Sequence, residues 1–306
     1  MTAPKIHIII CSWNRPTGIK RLLEQFNHQT FKDFRVTITN NNIVYNDILD
    51  SYSESIPINY VLHIIHNNEN RGVRERFVVA RETESEYCVF LDDDQIIKPT
   101  LLEEMIRVAE KNTLSAWWGF VYNGKYMNRS RQLNGNLCNH CGPGGLIVDS
   151  NIFKFQPFWD NWNEKYYNVD DVYISQFSQA IGWKLRGYAF PIEFDQSMTA
   201  DANALSVDPK IMALKDEAII YYKTHNWGIS QLNKGVHVNH THDIKIIYYA
   251  NNNTHAKELL SRNKHKFTNV EIKGTDMYDT YQIVMTNNSV VQSSQAVDII
   301  NKILST

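Results

Sequence analysis

Four cysteines are all that the 306 residues contain: Cys11, Cys88, Cys138 and Cys141. They are too few for a disulfide framework, and two of them fall inside apolar strand-like runs where a free thiol behaves as a small hydrophobe. Long apolar runs are also missing. None approaches the roughly 20 residues that span a bilayer, and Ile6–Cys11 is too short for the core of a signal peptide. The chain therefore reads as cytoplasmic, either free or peripheral to a membrane. Glycine (13) and proline (8) are scarce, which excludes collagen-like and low-complexity scaffolds. No charge excess exists either: 31 basic side chains face 33 acidic ones, a formal net charge of -2. A chain that neutralises a nucleic-acid backbone needs a basic surplus, so nucleic acid is excluded as the main partner. What the sequence does have is 43% hydrophobic and 12% aromatic residues. That is enough for a sizeable core in one large domain carrying a modest appendage.

Short β-branched runs alternate with amphipathic stretches through the first half. Ile6–Ile10, Phe34–Thr39, Tyr60–Ile65 and Tyr87–Leu91 read as strands, and Thr17–Asn27 and Val73–Glu82 as helices. The alternation predicts an α/β fold with βαβ units and a largely parallel central sheet flanked by helices. Pro99–Lys111 follows as a surface helix with Leu101, Leu102, Met105, Ile106 and Ala109 on one stripe. From about Trp117 to Trp162 the sequence is rich in Gly, Asn and aromatics without regular period, and is expected to form a loop-rich cleft. Asp171–Ile181 resumes as a helix that Gly182 would end. Beyond about residue 240 the pattern restarts. Ile244–Tyr249 and Tyr281–Met285 are strand-like, and His255–Arg262 and Ser293–Leu304 helix-like, which predicts a small C-terminal α/β appendage over 236–306 with no chemistry-bearing motif.

The strongest local signal is Tyr87–Leu91 followed by Asp92-Asp93-Asp94-Gln95, a buried strand ending in three carboxylates. Three adjacent negative charges raise one another's pKa unless a cation neutralises them. Carboxylate oxygens suit Mg²⁺ or Mn²⁺, which are typically held by one or two carboxylates plus phosphate oxygens. A solvated acidic turn is the plainer alternative. The C-terminal end of a strand, where open α/β sheets bind ligands, favours a site. A second acidic element, Asn168-Val169-Asp170-Asp171-Val172, precedes a helix, where its carboxylates serve either as caps or in chemistry.

These elements, in this order, resemble a GT-A fold glycosyltransferase of family 2 over the first ~230 residues. Ile8-Ile9-Ile10-Cys11-Ser12-Trp13-Asn14-Arg15-Pro16 resembles the family's first strand and the turn against the nucleotide base. Gln29-Thr30 before Phe34–Thr39, Asn70-Arg71-Gly72 before a helix, and Asp92-Asp93-Asp94 with Pro99 downstream match its later landmarks. The resemblance implies a nucleotide-binding half over about 1–98 and an acceptor and catalytic half over about 99–235. Nucleotide contacts would come from Ser12, Asn14, Arg15, Asn40, Asn42, Arg71, Arg74, Asp92 and Asp93. Asp94 would coordinate the metal with support from Asp92, and Asp171, preceded by Asp170 in place of the usual Glu, would be the catalytic base. Gly144 and Gly145 would lie beneath the donor sugar, a plain tight turn being the alternative, and Trp159 and Trp162, just before the acidic pair, offer aromatic faces of the kind acceptor sugars stack on, with core packing as the rival. Asn40-Asn41-Asn42 stands where the family usually has an Asp, and the arginine that faces the nucleotide is one of Arg71, Arg74 and Arg76.

Cys138-x-x-Cys141 with His140 between has zinc or redox spacing, but no second Cys pair exists, and ordinary thiols are the stronger reading. His237, His240 and His242 are candidates for a third metal ligand by the same resemblance. The expectation is an inverting, Mn²⁺- or Mg²⁺-dependent transfer from a UDP-, GDP- or TDP-type sugar to a glycan or glycoconjugate hydroxyl. A haloacid-dehalogenase-like phosphatase using Asp92 and Asp94 is the alternative enzyme, and a catalytically disabled nucleotide-sugar-binding protein the alternative outside catalysis.

Overall fold

The computed structural model describes residues 3–199, 208–225 and 227, together with four strands between 244 and 292. The chain divides into two compact units, 1–177 with 184–225 and 178–183 with 226–306. In the first unit β1 (Ile6–Ser12), α1 (Pro16–Asn27), β2 (Phe34–Asn40), α2 (Asn46–Ser55), β3 (Val61–His66), α3 (Glu75–Arg81) and β4 (Tyr87–Leu91) follow the expected alternation. Pro16 opens α1, where its missing N–H costs nothing, and Ile19, Leu22, Leu23 and Phe26 recur at helical spacing to form the buried face. α2 was not legible, because its run Asn46–Ser55 buries only Leu49.

Next come β5 (Gln95–Ile97), α4 (Leu101–Val108), β6 (Thr113–Tyr122), β7 (Arg129–Arg131), β8 (Asn136–Leu137) and β9 (His140–Asp149). The stretch expected to be loop-rich thus contains the second half of one ten-residue strand, β6, and the whole of another, β9. All ten residues of β9 are buried, which erases the polar alternation that marks a strand with one wet face, and its Gly142-Pro143-Gly144-Gly145 reads as a breaker. In the fold, β9 pairs Gly142 with Trp118 and Leu146 with Ala116, so Pro143, Gly144 and Gly145 bulge out of the ladder opposite Trp117. A bulge is where a missing proline N–H is tolerated. α5 (Gln156–Asp160), α6 (Asp170–Ala180), β10 (Lys184–Gly187), β11 (Ile192–Phe194), α7 (Gln196–Thr199) and α8 (Pro209–Thr224) complete the series.

The central sheet of nine described strands runs β3-β2-β1-β4-β9-β6-β10-β8, with β7 beside β6. Its first four strands are parallel, as expected. β9 then runs antiparallel to both β4 and β6, so the sheet is mixed. β6 and β9 are linked through short strands, whereas a parallel pair needs a long crossover. Alternate residues of the parallel strands face opposite sides. Ile6, Ile8, Ile10, Val89 and Leu91 pack with α1 and α4. On the other side Phe77 of α3 stacks on Phe153 and meets Phe90 and Phe158 edge-on, with centroids 5.4–5.6 Å apart.

The second unit contains β12 (Ile244–Ala250), β13 (Asn269–Gly274), β14 (Thr280–Met285) and β15 (Val290–Gln292), in the order β13-β12-β14-β15. The strands expected at Ile244–Tyr249 and Tyr281–Met285 lie in β12 and β14. The helices expected over 255–262 and 293–304 lie outside the described residues.

Candidate active site

The sheet brings both acidic elements of the sequence together. β4 ends at Leu91 and releases Asp92, Asp93 and Asp94 at its C-terminal edge, while α6 starts on Asp170 and Asp171. Arg76, only 5% exposed on α3, joins them: its Nη1 donates to Asp92 Oδ1 at 3.1 Å and its Nε lies 3.4 Å from Asp170 Oδ2. Burial alone would favour losing the guanidinium's proton, but Asp170 and Asp92 outweigh that and hold Arg76 charged. Asp170 responds in the other direction. Its burial, opposed by Arg76 and reinforced by Asp171 and Asp92, pushes its pKa up to about 6.

Arg15, at the turn before α1, covers the rest of the triplet. Its Nη1 donates to Asp93 Oδ1 at 2.9 Å and lies 3.7 Å from Asp94 Oδ2. Burial pushes Asp93 up to about 7 in spite of Arg15. Gln95 supports the turn by accepting a hydrogen bond from Asp92 N at 2.9 Å. Gly144 lies beneath Asp92: a Cβ there would stand 2.3 Å from Asp92 Oδ2, so the missing side chain makes room for a carboxylate of the site itself. Gly145 has φ +88°, a left-handed conformation that glycine adopts without strain.

Asp171 faces a different group. Its Oδ2 takes an ion pair from Lys215 of α8 and lies 3.4 Å from both Tyr126 Oη and His140 Nε2. Lys215 also donates to Tyr126 Oη at 3.2 Å. Burial would push Asp171 up, but Lys215 and His140 hold it well below the ordinary carboxylate range. Lys215 is in turn kept charged against its burial by Asp171 and Tyr126. His140, fully buried, is held neutral by that burial although Asp171 opposes it.

The remaining candidates are distributed as follows. Ser12 is buried at the end of β1, and its carbonyl accepts from Asn41 N at 2.8 Å. Asn40 is fully buried, donating to Asn42 O and Asn46 Oδ1, each at 2.9 Å, and accepting from Asn42 N at 3.1 Å. That asparagine shapes the turn. Asn42 donates to Asn14 Oδ1 at 2.7 Å, tying the first two strand-end turns together. In the Asn70-Arg71-Gly72 turn, Asn70 Oδ1 accepts from Gly72 N at 2.8 Å, and Gly72 takes φ +69°. Arg71 pairs with Glu75 at 3.5 Å, and Arg74 pairs with Glu164. Of the three arginines of this stretch, Arg76 is the one the fold turns to the carboxylates.

Trp159 donates its Nε1 to Phe153 O at 2.9 Å, with the Arg81 guanidinium 4.8 Å from its ring centroid. Trp162 packs edge-on against Tyr173 at 4.5 Å, with Arg74 at 4.7 Å. Both indoles thus carry guanidinium groups against their rings. His237, His240 and His242 lie outside the described residues. Lys215, Tyr126 and Gln95 were missed in sequence. Lys215 belongs to α8, whose Asp208-Pro209 start was the available signal: Asp208 Oδ1 caps Lys210 N at 2.8 Å. Tyr126 and Gln95 carried no signal of their own.

Among the described residues no group of three or more His, Cys, Asp or Glu side chains forms a ready metal shell. The carboxylates of Asp92 and Asp94 nevertheless have the donor chemistry of a hard divalent ion whose other ligands come from phosphate and water. Among the described residues no helix is long and apolar enough to cross a membrane.

A family model described as Glycosyl transferase family 2 matches residues 7–172, more than half of the 306 residues. An "uncharacterized glycosyltransferase" of Haemophilus influenzae is 32% identical over 108 residues, covering 35% of this chain and 35% of the relative. The match thus spans about a third of that relative's length. Among solved structures, S. aureus TarS 1–349 aligns at 16% identity and a TM-score of 0.48 over 75% of this chain and 73% of that one. GalNAc-T7 with UDP, GalNAc and Mn²⁺ aligns at 11% identity and a TM-score of 0.47, over 76% of this chain and 53% of that one.

Proposed function

The chain belongs to glycosyl transferase family 2, and from that premise we propose that it moves a sugar from a nucleoside diphosphate sugar to a glycan or glycoconjugate hydroxyl, inverting the anomeric carbon. The observation that carries this reading is Arg76, one buried guanidinium that touches Asp92 of the strand-end triplet and Asp170 of the helix-start pair. The acids assigned to the donor side and to the acceptor side thereby share one buried arginine.

In this reading Ser12, Asn14, Arg15, Asn40, Asn42 and Asp93 frame the nucleotide, which is of the UDP, GDP or TDP type. Asp94 with Asp92 would hold Mg²⁺ or Mn²⁺, which when bound supplies positive charge to the departing diphosphate. Arg15, already beside Asp93 and Asp94, brings a fixed positive charge to the same edge. Asp171, held well below the ordinary carboxylate range by Lys215 and His140, is oriented by Lys215, Tyr126 and His140. As general base it takes the acceptor hydroxyl's proton while the oxygen attacks the anomeric carbon from the face opposite the diphosphate. A second reading gives the base to Asp170. Its pKa of about 6 lies nearer the working pH, where a general base is most effective.

Nucleotide affinity measured by titration calorimetry across a Mn²⁺ series tests the donor side. The expected outcome is that nucleotide and ion each raise the other's affinity by the same factor. Asp94→Ala should lose that coupling and Asp171→Ala should keep it. Equal nucleotide affinity in chelator and in saturating Mn²⁺ for the wild type would refute the metal role. Failure of UDP, GDP and TDP sugars alike to bind would refute the donor class.

A further inference from the structure

The thiols of Cys138-x-x-Cys141 meet in the fold. Cys138 Sγ and Cys141 Sγ lie 3.6 Å apart, with Cys138 half-buried and Cys141 fully buried. The backbone on each side is fixed. Cys138 N donates to Leu185 O at 2.9 Å, and Cys141 N donates to Ser175 Oγ of α6 at 2.9 Å, with that hydroxyl returning to Cys141 O at 3.3 Å. The entropy of bringing the sulfurs together has therefore been spent in folding, and one thiol is reachable while the other waits behind it.

We infer that Cys138 and Cys141 form a redox site, a dithiol that closes reversibly to an intramolecular disulfide, and that closing it perturbs Asp171. The co-reactant is a small-molecule disulfide such as oxidised glutathione. The Cys138 thiolate attacks one sulfur of the reagent, forms a mixed disulfide and releases the first glutathione thiolate. Cys141 then gives up its proton and attacks Cys138 Sγ, and the second glutathione leaves as a thiolate that takes up a proton. Two protein thiols are oxidised by two electrons, and one reagent disulfide is reduced to two thiols.

The link to the acidic pair is positional. A disulfide requires the sulfurs to close from 3.6 Å to about 2 Å, and whatever part of that closure side-chain rotation does not supply falls on the segment 138–141, which includes His140. His140 Nε2 lies 3.4 Å from Asp171 Oδ2, and its ring packs edge-on to Tyr126 at 5.2 Å. Ser175, bonded to Cys141 through both backbone groups, sits on the helix that begins with Asp170 and Asp171. This link, unlike the disulfide itself, rests on the proposed role of Asp171.

The test uses the full chain. It is incubated with oxidised glutathione, denatured in an alkylating reagent and read by intact mass and peptide mapping, with and without prior dithiothreitol. The expected result is loss of two of the four alkylatable thiols, a linked Cys138–Cys141 peptide, and full recovery on reduction. Cys11→Ser and Cys88→Ser should still close, and Cys138→Ser should not. Four free thiols after oxidation, or a glutathione adduct on Cys138 that never resolves, would overturn the site. Reduced and oxidised forms are then compared for sugar transfer. A several-fold drop on oxidation that Cys138→Ser abolishes supports the link, and equal rates overturn it. Because the mass measurement needs no substrate, failure of the disulfide and failure of the transferase reading are separate results.

Discussion

In the parallel half of the sheet a buried histidine is kept neutral, whereas beside the antiparallel half, at the start of α6, a buried aspartate is kept charged. His7 on β1 sits between Thr37 Oγ1 at 2.7 Å and Thr83 Oγ1 at 2.9 Å, and burial, aided by Arg35, lowers its pKa to about 3. Asp171 sits among Lys215, Tyr126 and His140 and keeps its charge because an ammonium is delivered to it from α8. Hydroxyl partners satisfy a neutral ring without charge desolvation. An ion pair recovers its desolvation cost only while both members are present. The first arrangement seals a polar ring into the sheet without burying a charge. The second keeps an anion at the start of α6, the position proposed above for the base.

The sharpest way to break this contrast is at the charged pole. Asp171→Asn should lower turnover by about 10²–10⁴-fold while donor affinity is kept, and Asp170→Asn should cost less. Steady-state kinetics on both variants decides it, because the opposite order would give the base to Asp170. Next, Lys215→Met strands Asp171 as a buried unpaired charge and should destabilise the fold by about 3–5 kcal/mol. Urea denaturation should show that loss, and the double variant Lys215→Met with Asp171→Asn should recover most of it. A stable single variant would mean that the pair is well solvated.

The neutral pole gives the smallest effect. His7 titrates near 6.5 in the unfolded chain and near 3 in the fold, so its contribution is complete above 6.5 and is lost as pH falls through that window. At about pH 5 the loss from this one residue amounts to about 2 kcal/mol. Unfolding free energies compared between about pH 7.5 and about pH 5 should fall less steeply in His7→Gln than in the wild type. Parallel slopes would show that His7 is protonated in the fold.

The same contrast accounts for what could be read in advance. The parallel half is local: each strand and its helix are adjacent in sequence, period and breakers mark all of them but α2, and the expected strands match β1, β2, β3 and β4 within two residues at either end. The triplet after β4 and the pair opening α6 were legible because charge at the end of an apolar run is a local signal. β9 was not, because burial on both faces removes the alternation that pattern reading relies on. Lys215 stands 44 residues beyond Asp171, and only tertiary packing sets their meeting. Choosing Arg76 over Arg71 and Arg74 required the rotational setting of α3, whose start beyond a left-handed glycine a one-residue error would misplace by about 100°.

Arg76 also bears on how such a protein can change over time. A single guanidinium contacts both acidic elements, so, on the proposed assignment, the residues given to the donor and those given to the acceptor are not independent variables. A substitution that alters charge at Asp92 is felt at Asp170 through a shared partner, and the effects of paired changes should not add. On that assignment donor preference and acceptor preference would be inherited together, and a lineage altering one would pass through variants in which the other is disturbed.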